Sequence, residues 1–131
     1  MGLSPGTSVL IVEDVQAIRF HLRTMLQEMG FSRVQTAASV EEAQLVLTVE
    51  AVDLILCDWY LNASSGLDLL RELRKSRERD STAFVLLTAE NAKEKVVEAL
   101  KAGVDDYLLK PLSAAALGNK LAGAIAKRKV P

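Results

Sequence analysis

The amino-acid sequence predicts an α/β fold, a parallel β-sheet with helices on both faces. Five short apolar runs of strand length alternate with five segments in which apolar residues recur at helical spacing. Two of the runs, residues 54–57 (LILC) and 83–87 (AFVLL), are continuously apolar, as in strands that are buried on both faces. Right-handed crossovers would bring the carboxyl ends of all the strands to one edge of the sheet.

The first half of the chain begins with a small, polar segment at residues 1–8, which we interpret as a flexible leader. Residues 9–12 (VLIV) and the more polar 33–37 (RVQTA) are predicted strands. The apolar spacing between them predicts a helix that ends at Gly30. The apolar positions of this first helix are Ile18, Leu22, Met25, Leu26 and Met29. His21 lies beside them and is expected to be partly buried, and Ser39 with Glu42 forms a capping box before the second helix.

The second half repeats the alternation. After the strand at 54–57, leucines at 67, 70 and 73 predict a third helix, followed by a charged loop at 76–81. A fourth helix passes through Val96, Val97 and Leu100 and ends at Gly103, and residues 107–109 form the fifth strand. Ser113 is placed to cap the last helix. Its apolar face consists of Leu117, Leu121, Ala124 and Ile125.

The composition narrows the possible functions. Half of the 131 residues are hydrophobic and a quarter are charged, which suits one globular domain. A single cysteine excludes an internal disulfide framework and indicates a reducing compartment. The net charge of −1 provides no general attraction to nucleic acid or anionic lipid, and no apolar run approaches the roughly 18 residues of a membrane span. We therefore expect a cytoplasmic protein without nucleic acid binding or membrane insertion.

Polar side chains follow the predicted strands at their carboxyl ends. They are Glu13 and Asp14, then Asp58, Thr88 and Lys110. Open α/β sheets bind their ligands at this edge. Three acids in one crevice repel each other unless a cation compensates, and Mg²⁺ prefers a few carboxylates with several waters retained. A lysine and a hydroxyl group suit phosphoryl oxygens, so the set predicts a site for phosphoryl transfer.

Four segments carry a resemblance to a known family: VLIVED, LILCDWYLNASSGLDLL, VLLTAE and GVDDYLLKP. In this order and spacing they resemble the receiver domain of bacterial response regulators, most of all the single-domain chemotaxis regulators. The resemblance covers residues 9–126. It implies a flavodoxin-like (βα)5 fold with strand order 2-1-3-4-5, and a receiver domain at 9–127 followed by a tail at 128–131.

The resemblance also implies a role for each residue at the sheet edge. Asp58 would be the phospho-acceptor, and Glu13, Asp14 and the main-chain carbonyl of Tyr60 would help Asp58 to hold Mg²⁺. Lys110 would pair with the phosphoryl oxygens, and the peptide bond that follows it corresponds to the family's usual cis peptide.

Two further residues would form the family's switch. Thr88 would hydrogen-bond the phosphoryl group, and the ring of Tyr107 would then turn inward, although an isolated aromatic in a strand more often serves packing. Tyr60 and Glu90 stand where family members tune the lifetime of the phosphorylated state. Trp59, beside the acceptor, should report on metal binding.

The sequence departs from the family pattern at three positions. Glu13 replaces the commoner aspartate, and its extra methylene favours contact with the metal through water. Asn62 stands where a proline is usual, which makes this loop less rigid. Tyr60 stands where the chemotaxis proteins carry a smaller polar residue, and its ring should obstruct the water that hydrolyses the acyl phosphate.

The functional hypothesis is a signalling module that is phosphorylated by a histidine kinase or phosphotransfer protein and binds a downstream partner through helix 4, strand 5 and helix 5. It would catalyse only its own phosphorylation and dephosphorylation, so it is not expected to be an enzyme. One alternative is a pseudo-receiver that docks without phosphorylation. A phosphatase of the haloacid-dehalogenase type would need a second aspartate where Tyr60 stands, and a flavodoxin would need a hydroxyl-rich loop in place of Glu13 and Asp14.

Overall fold

The computed structural model describes residues 6–76, 81–89, 93–110 and 113–128. Five parallel strands form one sheet in the order β2-β1-β3-β4-β5, and five helices connect and flank them. The elements in chain order are β1 Ser8–Val12, α1 Gln16–Glu28, β2 Arg33–Ala37, α2 Val40–Val49, β3 Leu54–Asp58, α3 Gly66–Lys75, β4 Ala83–Thr88, α4 Lys93–Ala102, β5 Asp106–Leu109 and α5 Ala114–Arg128. The predicted fold class and strand order are confirmed.

The core consists of two apolar layers, one on each face of the sheet. Side chains alternate between the faces along each strand, so β1, β3 and β4, which are buried throughout, supply both layers. Leu10, Ile55 and Phe84 pack in the layer that includes residues of α2, α3 and α4. Their neighbours Val9 and Leu54 pack in the layer that includes residues of α1 and α5. The continuously apolar runs in the sequence reflect this double coverage.

Local signals end and begin the helices as predicted. The Ser39 hydroxyl accepts from the Glu42 amide at 3.1 Å and so caps α2. The Glu42 carboxylate reaches back to the amide of Ala38, one residue before the cap, at 2.9 Å, instead of to the Ser39 amide of a capping box. Gly30 and Gly103 follow α1 and α4 with φ of 104° and 96°. Glycine adopts this left-handed conformation without the steric cost that other residues incur.

Helical spacing was less reliable for burial than for secondary structure. His21 is exposed, so the prediction that it is partly buried was wrong. His21 follows Phe20, which is also exposed. An α-helix turns by about 100° per residue, so both side chains lie away from the buried side of the helix at Leu22. In α4, Val97 and Leu100 are exposed, and the buried residue of the helix is Ala99. Within the described ranges, no helix is both long and apolar enough to cross a membrane.

A cluster of buried charged side chains lies at the other end of the sheet, where the strands begin. Asp105 precedes β5, is only 4% exposed, and accepts from the Phe84 amide at 2.8 Å. Arg74 of α3 donates to one of its carboxylate oxygens at 2.9 Å, and Arg128 of α5 donates to the other at 2.7 Å. These bonds tie the last turns of two helices to the sheet.

Candidate functional site

The predicted acids, the threonine and the lysine lie together along the carboxyl edge of the sheet. Glu13 follows β1, Asp58 and Thr88 are the last residues of β3 and β4, and Lys110 follows β5. Backbone hydrogen bonds continue the sheet pattern past the strand ends: the Glu13 amide donates to Ala37 at 3.0 Å, and the Lys110 amide donates to Thr88 at 2.9 Å. The backbone of the sheet therefore sets the positions from which these side chains extend.

Three carboxylates form the centre of this edge. Glu13, Asp14 and Asp58 each place an oxygen within 4.8 Å of the others. Glu13 is fully buried, Asp58 is 7% exposed and Asp14 is partly exposed. The Lys110 ammonium donates to Asp58 Oδ2 at 2.8 Å and lies 3.7 Å from Glu13 Oε1. One lysine thus offsets part of the negative charge of three acids.

Glu13 is the carboxylate of the cluster whose surroundings disfavour its negative charge. Its Oε2 accepts from the Val15 amide at 3.1 Å, but its buried Oε1 has no hydrogen-bond partner among the described residues. Burial, together with the adjacent Asp58 carboxylate, raises the pKa of Glu13 to about 7. For Lys110, burial lowers the pKa, but the hydrogen bond and charge of Asp58 and the charge of Glu13 outweigh it, so the pKa is raised.

These acids fit a hard divalent cation. Carboxylate oxygens are the ligands that Mg²⁺ and similar ions prefer, and the three donors are close enough to share one ion. The orphaned Glu13 Oε1 is a buried acceptor that an ion or its bound water would satisfy. The arrangement can therefore hold a metal ion through Glu13, Asp14 and Asp58.

The loop after Asp58 is held closely against the sheet and α3. The Trp59 amide donates to Leu87 at 2.8 Å, and the Gly66 amide donates to the Trp59 carbonyl at 2.8 Å. A β-carbon on Gly66 would lie 2.3 Å from the Asp58 carbonyl oxygen, so this approach of α3 requires glycine. Trp59 is buried, whereas the side chain of Tyr60 is half-exposed. Sequence reasoning missed this requirement for Gly66.

Thr88 and Tyr107, the two residues predicted to form a switch, lie on the neighbouring strands β4 and β5. Thr88 is 3% exposed, and its register partner across β4 and β5 is Leu109, two residues after Tyr107. Tyr107 is partly buried and packs against the apolar layer that contains Phe84. This position agrees with the packing role that an isolated aromatic usually has. Glu90 and the proline after Lys110 lie outside the described residues.

Sequence reasoning also missed Lys95. Its ammonium group, in the first turn of α4, lies 5.1 Å from the ring centroid of Trp59 and 5.1 Å from that of Tyr60. No pattern in the sequence indicates this contact, because it joins positions more than 30 residues apart.

Comparisons with known proteins agree with the fold and indicate a family. The family described as "Response regulator receiver domain" matches residues 9–122. Chemotaxis protein CheY-3 of Vibrio cholerae is 33% identical over 119 residues, which cover 91% of this chain and 92% of that protein. The phosphate regulon transcriptional regulatory protein PhoB of Rhizobium meliloti is 36% identical over 105 residues, or 80% of this chain and 46% of that protein.

Solved structures show the same likeness in three dimensions. The chemotaxis protein CheY4 of Vibrio cholerae superposes with a TM-score of 0.86 at 28% identity, covering 91% of this chain and 98% of that one. The signal receiver domain of a signal transduction histidine kinase from Syntrophus aciditrophicus superposes with a TM-score of 0.85 at 27% identity, covering 96% and 95%. Sequence and structure thus point to one family.

Proposed function

The chain belongs to the response regulator receiver family of two-component systems, and we propose that it works by reversible, Mg²⁺-dependent phosphorylation of Asp58. The observation that carries this proposal is the contact of the Lys110 ammonium with Asp58 Oδ2 at 2.8 Å, inside a cluster of three acids. A pseudo-receiver needs neither the cluster nor the contact. The proposed domain comprises residues 9–127.

Each residue has a distinct task in the transfer. An oxygen of Asp58 attacks the phosphorus of a phosphohistidine, the phosphorus–nitrogen bond breaks, and an acyl phosphate forms. Lys110 leaves its contact with the carboxylate and pairs with a phosphoryl oxygen. The same positive charge therefore compensates the carboxylate before the transfer and the phosphoryl group after it. Glu13, Asp14, Asp58 and the Tyr60 carbonyl would hold Mg²⁺. When it is bound, that ion supplies neutralisation of the charge that builds up on the phosphoryl oxygens.

The proposed output is a change of conformation. Thr88 would donate its hydroxyl to the phosphoryl group, and this new contact would favour the state in which Tyr107 turns inward. A downstream protein would then bind the face formed by α4, β5 and α5. The exposed side chains of Leu100 and Leu109 on this face support the proposal, because they give a partner apolar surface to cover.

The proposed partners and setting follow from the same chemistry. A histidine kinase or phosphotransfer protein donates the phosphoryl group, and the chain catalyses only its own phosphorylation and dephosphorylation. A cytoplasmic location agrees with the single cysteine, Cys57, which is buried in β3. Tyr60 stands where a phosphatase with an aspartate nucleophile needs a second acid, which disfavours that alternative.

Intact mass after incubation with acetyl phosphate and Mg²⁺ tests the proposal. We expect the wild type to gain one phosphoryl group and Asp58→Asn to gain none, because an amide does not attack phosphorus. Asp68→Asn, which changes an exposed carboxylate in the first turn of α3, is the matched control and should react like the wild type. A wild type that gains no phosphate would favour the pseudo-receiver, and an Asp58→Asn protein that still gains it would refute the assignment.

The metal site has its own test. Trp59 is the one tryptophan of the chain, so its emission reports on the loop beside the acceptor. Titration with Mg²⁺ should change this emission in the wild type and have little effect in Asp14→Ala. Equal titration curves would contradict the proposed metal ligands.

A further inference from the structure

We propose that Lys95 is a positioning residue for the acceptor site, which holds the ring of Tyr60 in place and so prolongs the life of phosphorylated Asp58. The inference rests on the proposed function, because it concerns the phosphoryl group on Asp58. It adds a residue from α4 to a site whose other members all lie at strand ends or in the loop after β3.

The geometry is that of one cation shared by two aromatic rings. The Lys95 ammonium lies 5.1 Å from each ring centroid, inside the range of about 6 Å in which a ring face attracts a cation. The two rings lie 6.5 Å apart and are tilted by 37°, so they also contact each other in a common aromatic arrangement. We call this group of Lys95, Trp59 and Tyr60 the aromatic clamp.

The two rings differ in how far they are exposed. Trp59 is 4% exposed, its amide donates to Leu87, and its carbonyl accepts from Gly66, so β4 and α3 fix it. Tyr60 has a backbone bridge to Ser65, but its side chain is 49% exposed. Trp59 is therefore the fixed half of the clamp, and the ring of Tyr60 is the half that Lys95 can position.

The clamp also links the acceptor loop to a lightly packed helix. Ala99 is the buried residue of α4, whereas Val97 and Leu100 are exposed. Lys95 lies in the first turn, so its contact with the two rings supplies a connection between this end of α4 and the loop beside Asp58. A change in the position of α4 would change the hold on Tyr60.

The position of the Tyr60 ring should affect the access of water to the acyl phosphate. Hydrolysis of the acyl phosphate on Asp58 needs a water molecule in line with the bond to phosphorus, and the resemblance to receiver domains implies that the side chain of Tyr60, two residues further on, borders that approach. A ring that the Lys95 ammonium holds in place obstructs the approach for more of the time than the same ring without that contact. Loss of one cation–π contact should therefore speed release of phosphate about threefold.

Four single variants and one double variant test the clamp. Lys95→Met keeps an unbranched side chain, one heavy atom shorter, and removes its charge, and Lys95→Arg keeps the charge over the rings. Lys101→Met removes an exposed charge from the same helix and is the matched control. Tyr60→Leu removes the ring that Lys95 is proposed to hold. For each protein, phosphate release is measured in excess Mg²⁺ after phosphorylation, and Trp59 emission is measured in EDTA without phosphate.

We expect Lys95→Met to release phosphate about threefold faster than the wild type and to change the Trp59 emission, because the cation has left the indole face. Lys95→Arg and Lys101→Met should match the wild type in both measurements. In the Tyr60→Leu background, Lys95→Met should have no further effect on release. Slower or unchanged release, unchanged emission, or an undiminished effect without the Tyr60 ring would each overturn the inference.

Failure of the proposed function and failure of the clamp give different results. If the wild type gains no phosphate, the proposed function fails and the inference falls with it. If the wild type gains phosphate and Lys95→Met releases it at the wild-type rate, the inference fails alone.

Discussion

Glu13 gives the sharpest test of the electrostatics of the site. It is fully buried, its Oε1 has no partner among the described residues, and its pKa is raised from 4.5 to about 7. At about 1.4 kcal/mol per pKa unit, that difference corresponds to roughly 3 kcal/mol of stability that depends on its protonation. Replacing Glu13 by glutamine keeps the shape and the bond from the Val15 amide and removes the charge.

The direction of the pH dependence follows from proton binding. Between about pH 4.5 and pH 7 the folded protein retains a proton on Glu13 that the unfolded chain has released. The contribution of Glu13 to stability is therefore fully present below about pH 4.5 and is lost as the pH rises to about 7. We expect Glu13→Gln to raise the free energy of unfolding by about 2 kcal/mol at about pH 8, and to change it little at about pH 5. The expected gain is smaller than the roughly 3 kcal/mol from the pKa difference, because burying the polar amide of glutamine also costs free energy.

Urea unfolding in EDTA at these two pH values, followed by circular dichroism, measures the effect. Glu28→Gln, which changes an exposed carboxylate at the end of α1, is the control and should leave stability nearly unchanged. Adding Mg²⁺ at the higher pH should stabilise the wild type more than Glu13→Gln, because the cation compensates the buried carboxylate. Equal stability of wild type and Glu13→Gln at the higher pH in EDTA would refute the reasoning.

Three other variants address the switch, the lifetime of the signal and the buried charges. Thr88→Ala should accept phosphate but respond poorly to it, because the lost hydroxyl contact is made only in the phosphorylated form. If phosphorylation shifts the Tyr107 NMR resonances equally in the wild type and in Thr88→Ala, this prediction is contradicted. Tyr60→Asn should release phosphate faster than the wild type in excess Mg²⁺, since a smaller polar side chain admits water, and equal or slower release would show that the ring does not shield the bond. Asp105→Asn should lower the free energy of unfolding by about 3 kcal/mol, because two largely buried arginines lose their anionic partner. A loss below about 1 kcal/mol in urea unfolding would mean that these pairs behave like surface salt bridges.

Much of the architecture could be predicted because it depends on local patterns. The strands around Leu10 and Ile55 are apolar runs, and the cap at Ser39 and the helix stop at Gly30 act within a few residues of chain. The burial of helix side chains was harder to predict. Val97 has the apolar character of a core residue but lies in the open, because the coverage of a helix face depends on neighbouring elements.

The sequence by itself determined the fold class and the meeting of Glu13, Asp58 and Lys110, because parallel strands joined by right-handed crossovers place their carboxyl ends at one edge. Only the tertiary structure decided how those residues are held and what surrounds them. The pair of Arg74 and Asp105 joins positions 31 residues apart, and the contact of Lys95 with Tyr60 likewise joins separate elements. Such contacts depend on how helices pack across loops, and no periodicity in the chain encodes that packing.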